Sequence, residues 1–113
     1  MTLQHVVLFS FTTELDDDDE QELLARVSRW PELIGGIDAI RIGRSINTER
    51  TRGYQYLLYM EVAGEEALVD YQLHPVHQDF SSWVIGKGCT PLAFDYYLDS
   101  ATVIHPPLES PTS

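Results

Sequence analysis

The chain has 113 residues, 43% of them hydrophobic and 22% charged, the composition of one folded domain with dispersed charge rather than of a disordered segment. Eighteen acidic residues against seven basic ones give a net charge of −11, which repels phosphate backbones and anionic lipid and so excludes nucleic acid and the membrane surface as natural partners. The single cysteine, Cys89, leaves no partner for a disulfide or for a thiolate zinc set within these residues and fits a reducing, cytoplasmic setting.

MTLQHVVLFSF has no basic leader segment ahead of an apolar run, and no window reaches the roughly 20 apolar residues of a membrane-spanning helix. The expectation is a protein neither secreted nor membrane-embedded. Residues 3–12, LQHVVLFSFT, predict a strand with Leu3, His5, Val7, Phe9 and Phe11 on one face. ELDDDDEQELLARVSRW then changes period, with Leu15, Leu23, Leu24, Val27 and Trp30 at helical spacing. Asp16 to Glu20 sit where negative charge complements the free N–H groups of a helix start. The glycine and spacing of a calcium loop are missing from that run.

Pro31 interrupts the helical pattern and Gly35-Gly36 ends it. IDAIRIGRSI predicts a second strand with Ile40 and Ile42 on one face, and NTERTRG a polar loop. YQYLLYMEV predicts a third strand with Tyr54, Tyr56, Leu58, Met60 and Val62 on one face. Its other face, with Leu57 and Tyr59, is also largely apolar, so the sheet needs cover on both sides. Gly64-Glu65-Glu66 opens a helix with Ala67, Leu68 and Tyr71 in one stripe. Pro75 opens another, PVHQDFSSWVIG, closed by Gly86 and Gly88. PLAFDYYL predicts the last strand, with Phe94 and Tyr96 on one face and Asp95 and Tyr97 on the other. Tyr54, Tyr56, Phe94 and Tyr96 are expected to serve as core and dimer interface. The Ser/Thr/Pro-rich stretch 100–113 predicts an extended tail. The order is β-α-β-β-α-β, the split βαβ unit of an α+β, ferredoxin-like fold. It predicts a four-stranded antiparallel sheet with helices on one face, in a domain spanning 1–99.

The HVVLFSF strand, this element order, GIDAIRIGRSI, the Arg52-Gly53-Tyr54 step and above all YQLHPVHQDF followed by FDY resemble the stress-responsive dimeric α/β-barrel domain over residues 3–97. The resemblance implies a homodimer whose two sheets pack face to face into a barrel, with a hydrophobic pocket in each protomer between sheet and helices. Family members include plant stress-response proteins without an established reaction and a polyketide cyclase type that closes an aldol ring without a cofactor. In that type, the positions matching His5, Tyr71 and His77 line the pocket and carry proton transfers. Two further pocket positions, bulky aromatics in the cyclase type, are Leu23 and Leu24 here, so the resemblance does not extend to a shared substrate.

The chemistry of DYQLHPVHQDF is consistent with that implication. His74 precedes Pro75 and is pushed out of α geometry, so it is expected to be extended or capping, with His77 in the first turn beyond. The two are not an i, i+3 pair on one helical face. No His/Asp/Glu set has metal spacing, and a metal is not expected, although Asp79 or Asp95 could join such a site in three dimensions. His77, partly buried at a helix start, suits a neutral general base. Tyr71 suits a hydrogen-bond donor to a developing enolate, with His5 orienting either group. The expected pocket joins these three with Val7, Phe9, Leu23, Leu24, Val27, Leu58, Met60, Leu68, Phe80 and Trp83, and holds a small hydrophobic molecule. GxGxxG, Walker and GxSxG sequences are all missing, and no cofactor is expected.

Three functional readings stay open on the residues alone. The first is binding of a small carbonyl compound with acid/base chemistry. The second is a non-catalytic, stress-associated binding or structural dimer in which the same side chains satisfy one another. The third is a cofactor-independent monooxygenase on the same dimeric fold.

Overall fold

A computed structural model describes residues 2–102, 104 and 107, so most of the tail expected over 100–113 lies outside the described residues. Four strands, β1 (Leu3–Phe11), β2 (Ile37–Arg44), β3 (Tyr56–Val62) and β4 (Cys89–Tyr97), form one antiparallel sheet in the order β2-β3-β1-β4. Each crossover is made of two helical pieces. Between β1 and β2 lie α1 (Asp17–Ser28) and α2 (Trp30–Leu33), and between β3 and β4 lie α3 (Glu65–Leu73) and α4 (Pro75–Gly86). The β-α-β-β-α-β order is therefore present, with both crossovers broken at a proline.

Local chemistry explains the boundaries. The Asp16 carboxylate accepts from the Asp19 N–H at 2.8 Å and caps α1, whose first turn carries Asp17, Asp18, Asp19 and Glu20 against the helix dipole. Pro31 enters the first turn of α2 instead of stopping the chain, because a missing N–H costs nothing there. His74 is extended (φ −64°, ψ 136°) as the residue before Pro75 must be, and its Nδ1 accepts from the Val76 N–H at 3.1 Å, capping α4.

Strand alternation sets the core. Leu3, His5, Val7, Phe9 and Phe11 of β1 are buried beneath the helices, beside Tyr56, Leu58, Met60 and Val62 of β3. Leu23, Val27 and Trp30 pack down on them. These three fall at i, i+4 and i+7, a stripe too narrow to include Leu24, which is 39% exposed. Arg44 ion-pairs with Glu14 and with Glu20 at 3.2 Å, and Lys87 with Asp19 at 3.1 Å, fastening α1 over the sheet. Tyr56 donates to Glu20 at 2.9 Å, and burial followed by that carboxylate pushes its phenol up to about 12.

The third strand starts at Tyr56, two residues later than expected. A tight turn with Arg52 and Gly53 at φ 52° and 89° precedes it, and the Gln55 side chain bonds both the N–H and the carbonyl of Phe11, at 2.8 and 3.1 Å. The expected aromatic stripe is divided between the two faces. His5 lies opposite Met60 on one side and Asp95 on the other. Even-numbered residues of β3 and odd-numbered residues of β4 therefore face the helices. Tyr56 is core, whereas Phe94 and Tyr96 are exposed on the other face. Among the described residues, no helix is long and apolar enough to cross a membrane.

Candidate active site

Beneath the α3–α4 junction, β1 and β4 carry two groups that meet across the ladder. The His5 ring is 4% exposed, and its Nδ1–H donates to the Asp95 carboxylate directly opposite. That bond fixes the imidazole's orientation and tautomer. Tyr71, near the end of α3, meets the His5 ring edge-on with centroids 5.6 Å apart. The Tyr71 ring is 2% exposed, and among the described residues no hydrogen-bond partner takes its hydroxyl. Burial and the nearby Asp95 charge push this phenol well above the ordinary tyrosine value, so it remains a donor through the physiological range.

His77 stands in the first turn of α4, its ring 4.3 Å from that of Tyr71, centroid to centroid. Its Nδ1 lies 3.1 Å from the Gln72 carbonyl oxygen. A carbonyl only accepts, so Nδ1 carries the hydrogen, and in the neutral ring Nε2 holds a lone pair. Burial lowers the His77 pKa below its ordinary value. The Gln72 carbonyl opposes this, and the His5 charge adds to it. The neutral, base-competent form therefore prevails at neutral pH.

These groups border a cavity of about 180 Å³, whose lining includes His5, Val7, Phe9, Tyr71, His77 and Phe80, with Gln72, Ser81, Val84, Pro91 and Ala93 completing it. The other residues expected in a pocket lie elsewhere. Leu23, Val27, Leu58, Met60 and Leu68 are packed into the core, and Leu24 is exposed on α1. Trp83 is half-buried under the Arg26 guanidinium, 5.1 Å from its ring. Packing of the crossovers against the sheet thus fills the interior around these residues, and the cavity that His5, Tyr71 and His77 share lies toward the β1–β4 edge.

Sequence reasoning did not assign Asp95 to His5. The signal was available only through the antiparallel register of β1 and β4, which sets residues 90 positions apart side by side. Asp79 is exposed, and among the described residues no three His, Cys, Asp or Glu side chains gather as a metal would need. Trp30, in contact with Tyr71, His77 and Phe80, buries an indole N–H that has no hydrogen-bond partner among the described residues.

A larger hollow, of about 590 Å³, lies on the opposite side, bordered by Leu8, Leu57, Gly43, Arg41 and the 45–55 loop. Size does not decide between them. The larger space offers arginines, which stay protonated, while the smaller one gathers the groups that can exchange protons.

The sequence profile of the stress responsive A/B barrel domain matches residues 3–98. The stress-response A/B barrel domain-containing protein HS1 of Arabidopsis thaliana is 26% identical over 95 residues, 83% of this chain and 87% of that protein. Among solved structures, a dimeric ferredoxin-like protein of unknown function from Thermobifida fusca superposes with a TM-score of 0.75 at 19% identity, covering 87% of this chain and 92% of the other. Hydroxynitrile lyase from Passiflora edulis superposes with a TM-score of 0.78 at 10% identity, covering 90% and 97%. The two structures share the ferredoxin-like fold, and the profile match over nearly the whole described sheet and crossovers carries the family: the chain belongs to the stress-responsive A/B barrel domain family.

Proposed function

We propose that the protein is a cytoplasmic homodimer, paired through its sheet faces, that binds a small apolar carbonyl compound and moves a proton next to the carbonyl. His77 Nε2 abstracts the proton, the Tyr71 hydroxyl donates to the oxygen that becomes enolate-like, and the His5–Asp95 pair holds its edge of the cavity in one orientation. The observation that carries this reading is the fixed tautomer of His77. One nitrogen is committed to the Gln72 carbonyl, so the other is a free base beside a phenol whose hydroxyl has no partner among the described residues. A volume of about 180 Å³ lies below the roughly 300–1,000 Å³ of drug-sized ligand sites, which favours a substrate of only a few carbons. The hydroxynitrile lyase among the structural neighbours supports only the idea that this fold can carry carbonyl-related chemistry.

The test is deuterium exchange at the α-carbon of small β-dicarbonyl compounds, followed by proton NMR in heavy water. The wild-type protein should accelerate exchange for at least one compound, and His77→Ala should lose about 10²–10⁴-fold of that acceleration. Equal exchange by both proteins would sink the assignment. One observation favours a non-catalytic second reading: the Gln72 bond also ties the α3–α4 bend, a structural task in itself. If that were the whole role, His77→Ala would lower the melting temperature and no compound would exchange faster with the wild-type protein.

A further inference from the structure

Trp30 carries a donor for which the chain supplies no acceptor. The residue is 1% exposed, and its indole N–H has no hydrogen-bond partner among the described residues. Buried donors are almost always paired, so an orphan of this kind points to a water, an ion or a ligand. The ring borders a surface groove of about 250 Å³ between the α1–α2 crossover and α4.

Three contacts set how the walls of this groove line up. Arg26 of α1 lies over the Trp83 ring of α4, 5.1 Å from its centroid, and Trp30 meets Phe80 and His77 at 4.8 and 6.0 Å. The two walls therefore run antiparallel. One turn onward from the Arg26–Trp83 contact, Arg29 on one wall stands across from Asp79 on the other, and Leu33 and Val76 border the far end. Arg26 is already occupied, by Glu22 at 2.8 Å and by the Trp83 ring. Arg29 and Asp79 are exposed and form no ion pair among the described residues, with each other or with any other group. Arg29 commits only its Nε, to the Ala25 carbonyl at 3.4 Å, which leaves both terminal nitrogens for a carboxylate.

We propose that this groove binds a free amino acid with an apolar side chain, held as its zwitterion. The carboxylate takes the terminal nitrogens of Arg29 and gives the Trp30 N–H its acceptor, reaching that covered donor through a small outward shift of the side chains above it. The ammonium group faces Asp79, and the apolar side chain lies against Leu33, Val76 and Phe80. A zwitterion has no net charge, so the chain's −11 does not repel it. Analogues with one charge gain one wall and are opposed by the other, which is what makes the pair selective. A volume below the roughly 300–1,000 Å³ of drug-sized sites suits one such molecule rather than a peptide. The groove shares Phe80 with the proton-exchange cavity but does not depend on its chemistry.

The experiment is nitrogen–proton correlation NMR on isotope-labelled protein. Trp30 and Trp83 give the two indole signals, and Trp30→Phe assigns them. Leucine, valine or phenylalanine should move the Trp30 signal to lower field along a saturable curve. Isocaproate, which is leucine without its amine, and isoamylamine, which is leucine without its carboxylate, should each bind at least about tenfold more weakly. Arg29→Gln and Asp79→Asn should each weaken leucine about tenfold at unchanged circular dichroism, since both side chains are exposed. Asp79→Asn should also close the gap between isocaproate and leucine, which a purely structural role would not do. A Trp30 signal that stays in place with all three amino acids at millimolar concentration, isocaproate as tight as leucine, or unaltered affinity in Arg29→Gln overturns the site. Deuterium exchange at the cavity is read separately, and its failure leaves this groove standing.

Discussion

The two faces of this sheet treat polarity in opposite ways. The helix-covered face buries histidine, tyrosine and tryptophan among hydrophobes, and spends few hydrogen bonds on them: His5 to Asp95, His77 to Gln72, Tyr56 to Glu20 and, among the described residues, none for the Trp30 indole. The other face exposes leucine and phenylalanine to solvent, yet buries Gln4, which donates to Glu61 at 2.9 Å and accepts from Tyr59. A face meant for water would reverse both choices. Under the proposed function, chemistry would fall to the side that a single chain closes, and assembly to the side it leaves open.

The sharpest way to break this contrast is to truncate one large side chain on each side. Trp30→Ala removes the largest fully buried side chain and should cost about 3–5 kcal/mol in urea unfolding. Trp30→Phe should cost far less, because the lost indole N–H has no hydrogen-bond partner among the described residues. Leu57→Ala, across the sheet and 42% exposed, should change the stability of an isolated protomer by roughly 0.5 kcal/mol or less and show its effect in the dimer fraction.

Smaller than the tryptophan truncation, but confined to chemistry, is Tyr71→Phe. Loss of a donor aimed at developing charge should reduce proton-exchange acceleration about 10²–10³-fold at nearly unchanged fold, as read by NMR. Exchange should rise with pH through an apparent pKa below the ordinary histidine value and show no fall from Tyr71 until the medium is alkaline beyond roughly pH 10.

The mildest prediction uses stability. Because the folded His77 pKa is lowered, the unfolded chain binds the proton first as pH falls from about 6.5. The contribution of neutral His77 is complete above that value and is lost as pH drops through the folded pKa. The melting temperature should decline over this window, and His77→Gln should flatten that part of the decline.

Much of the frame was legible because it rests on local rules. Alternation in LQHVVLFSF, the acid-first turn after Asp16 and the two prolines each determine structure within a few residues. The failures share another origin. Leu24 fits a helical period but lies outside a stripe whose width is set by how closely α1 approaches the sheet. The size of the cavity depends on how tightly both crossovers settle, which no spacing encodes. The His5–Asp95 contact and the division of Tyr56 from Phe94 both follow from which edges β1 pairs with, a property of four strands at once. His5, Tyr71 and His77 were recognisable as residue types, whereas the hydrogen placement that makes His77 a base depends on one backbone carbonyl.

That carbonyl belongs to Gln72, on the far side of the bend at Pro75. Straightening the bend would withdraw the acceptor that holds hydrogen on Nδ1, and the imidazole could then carry it on Nε2. The ring would hardly need to move, yet toward the cavity it would change from a group that takes a proton to one that offers it. Under the proposed function, the elbow between α3 and α4 would convert backbone shape into chemical polarity, and any event that flexes it would reverse the direction in which His77 moves a proton rather than displace the ring.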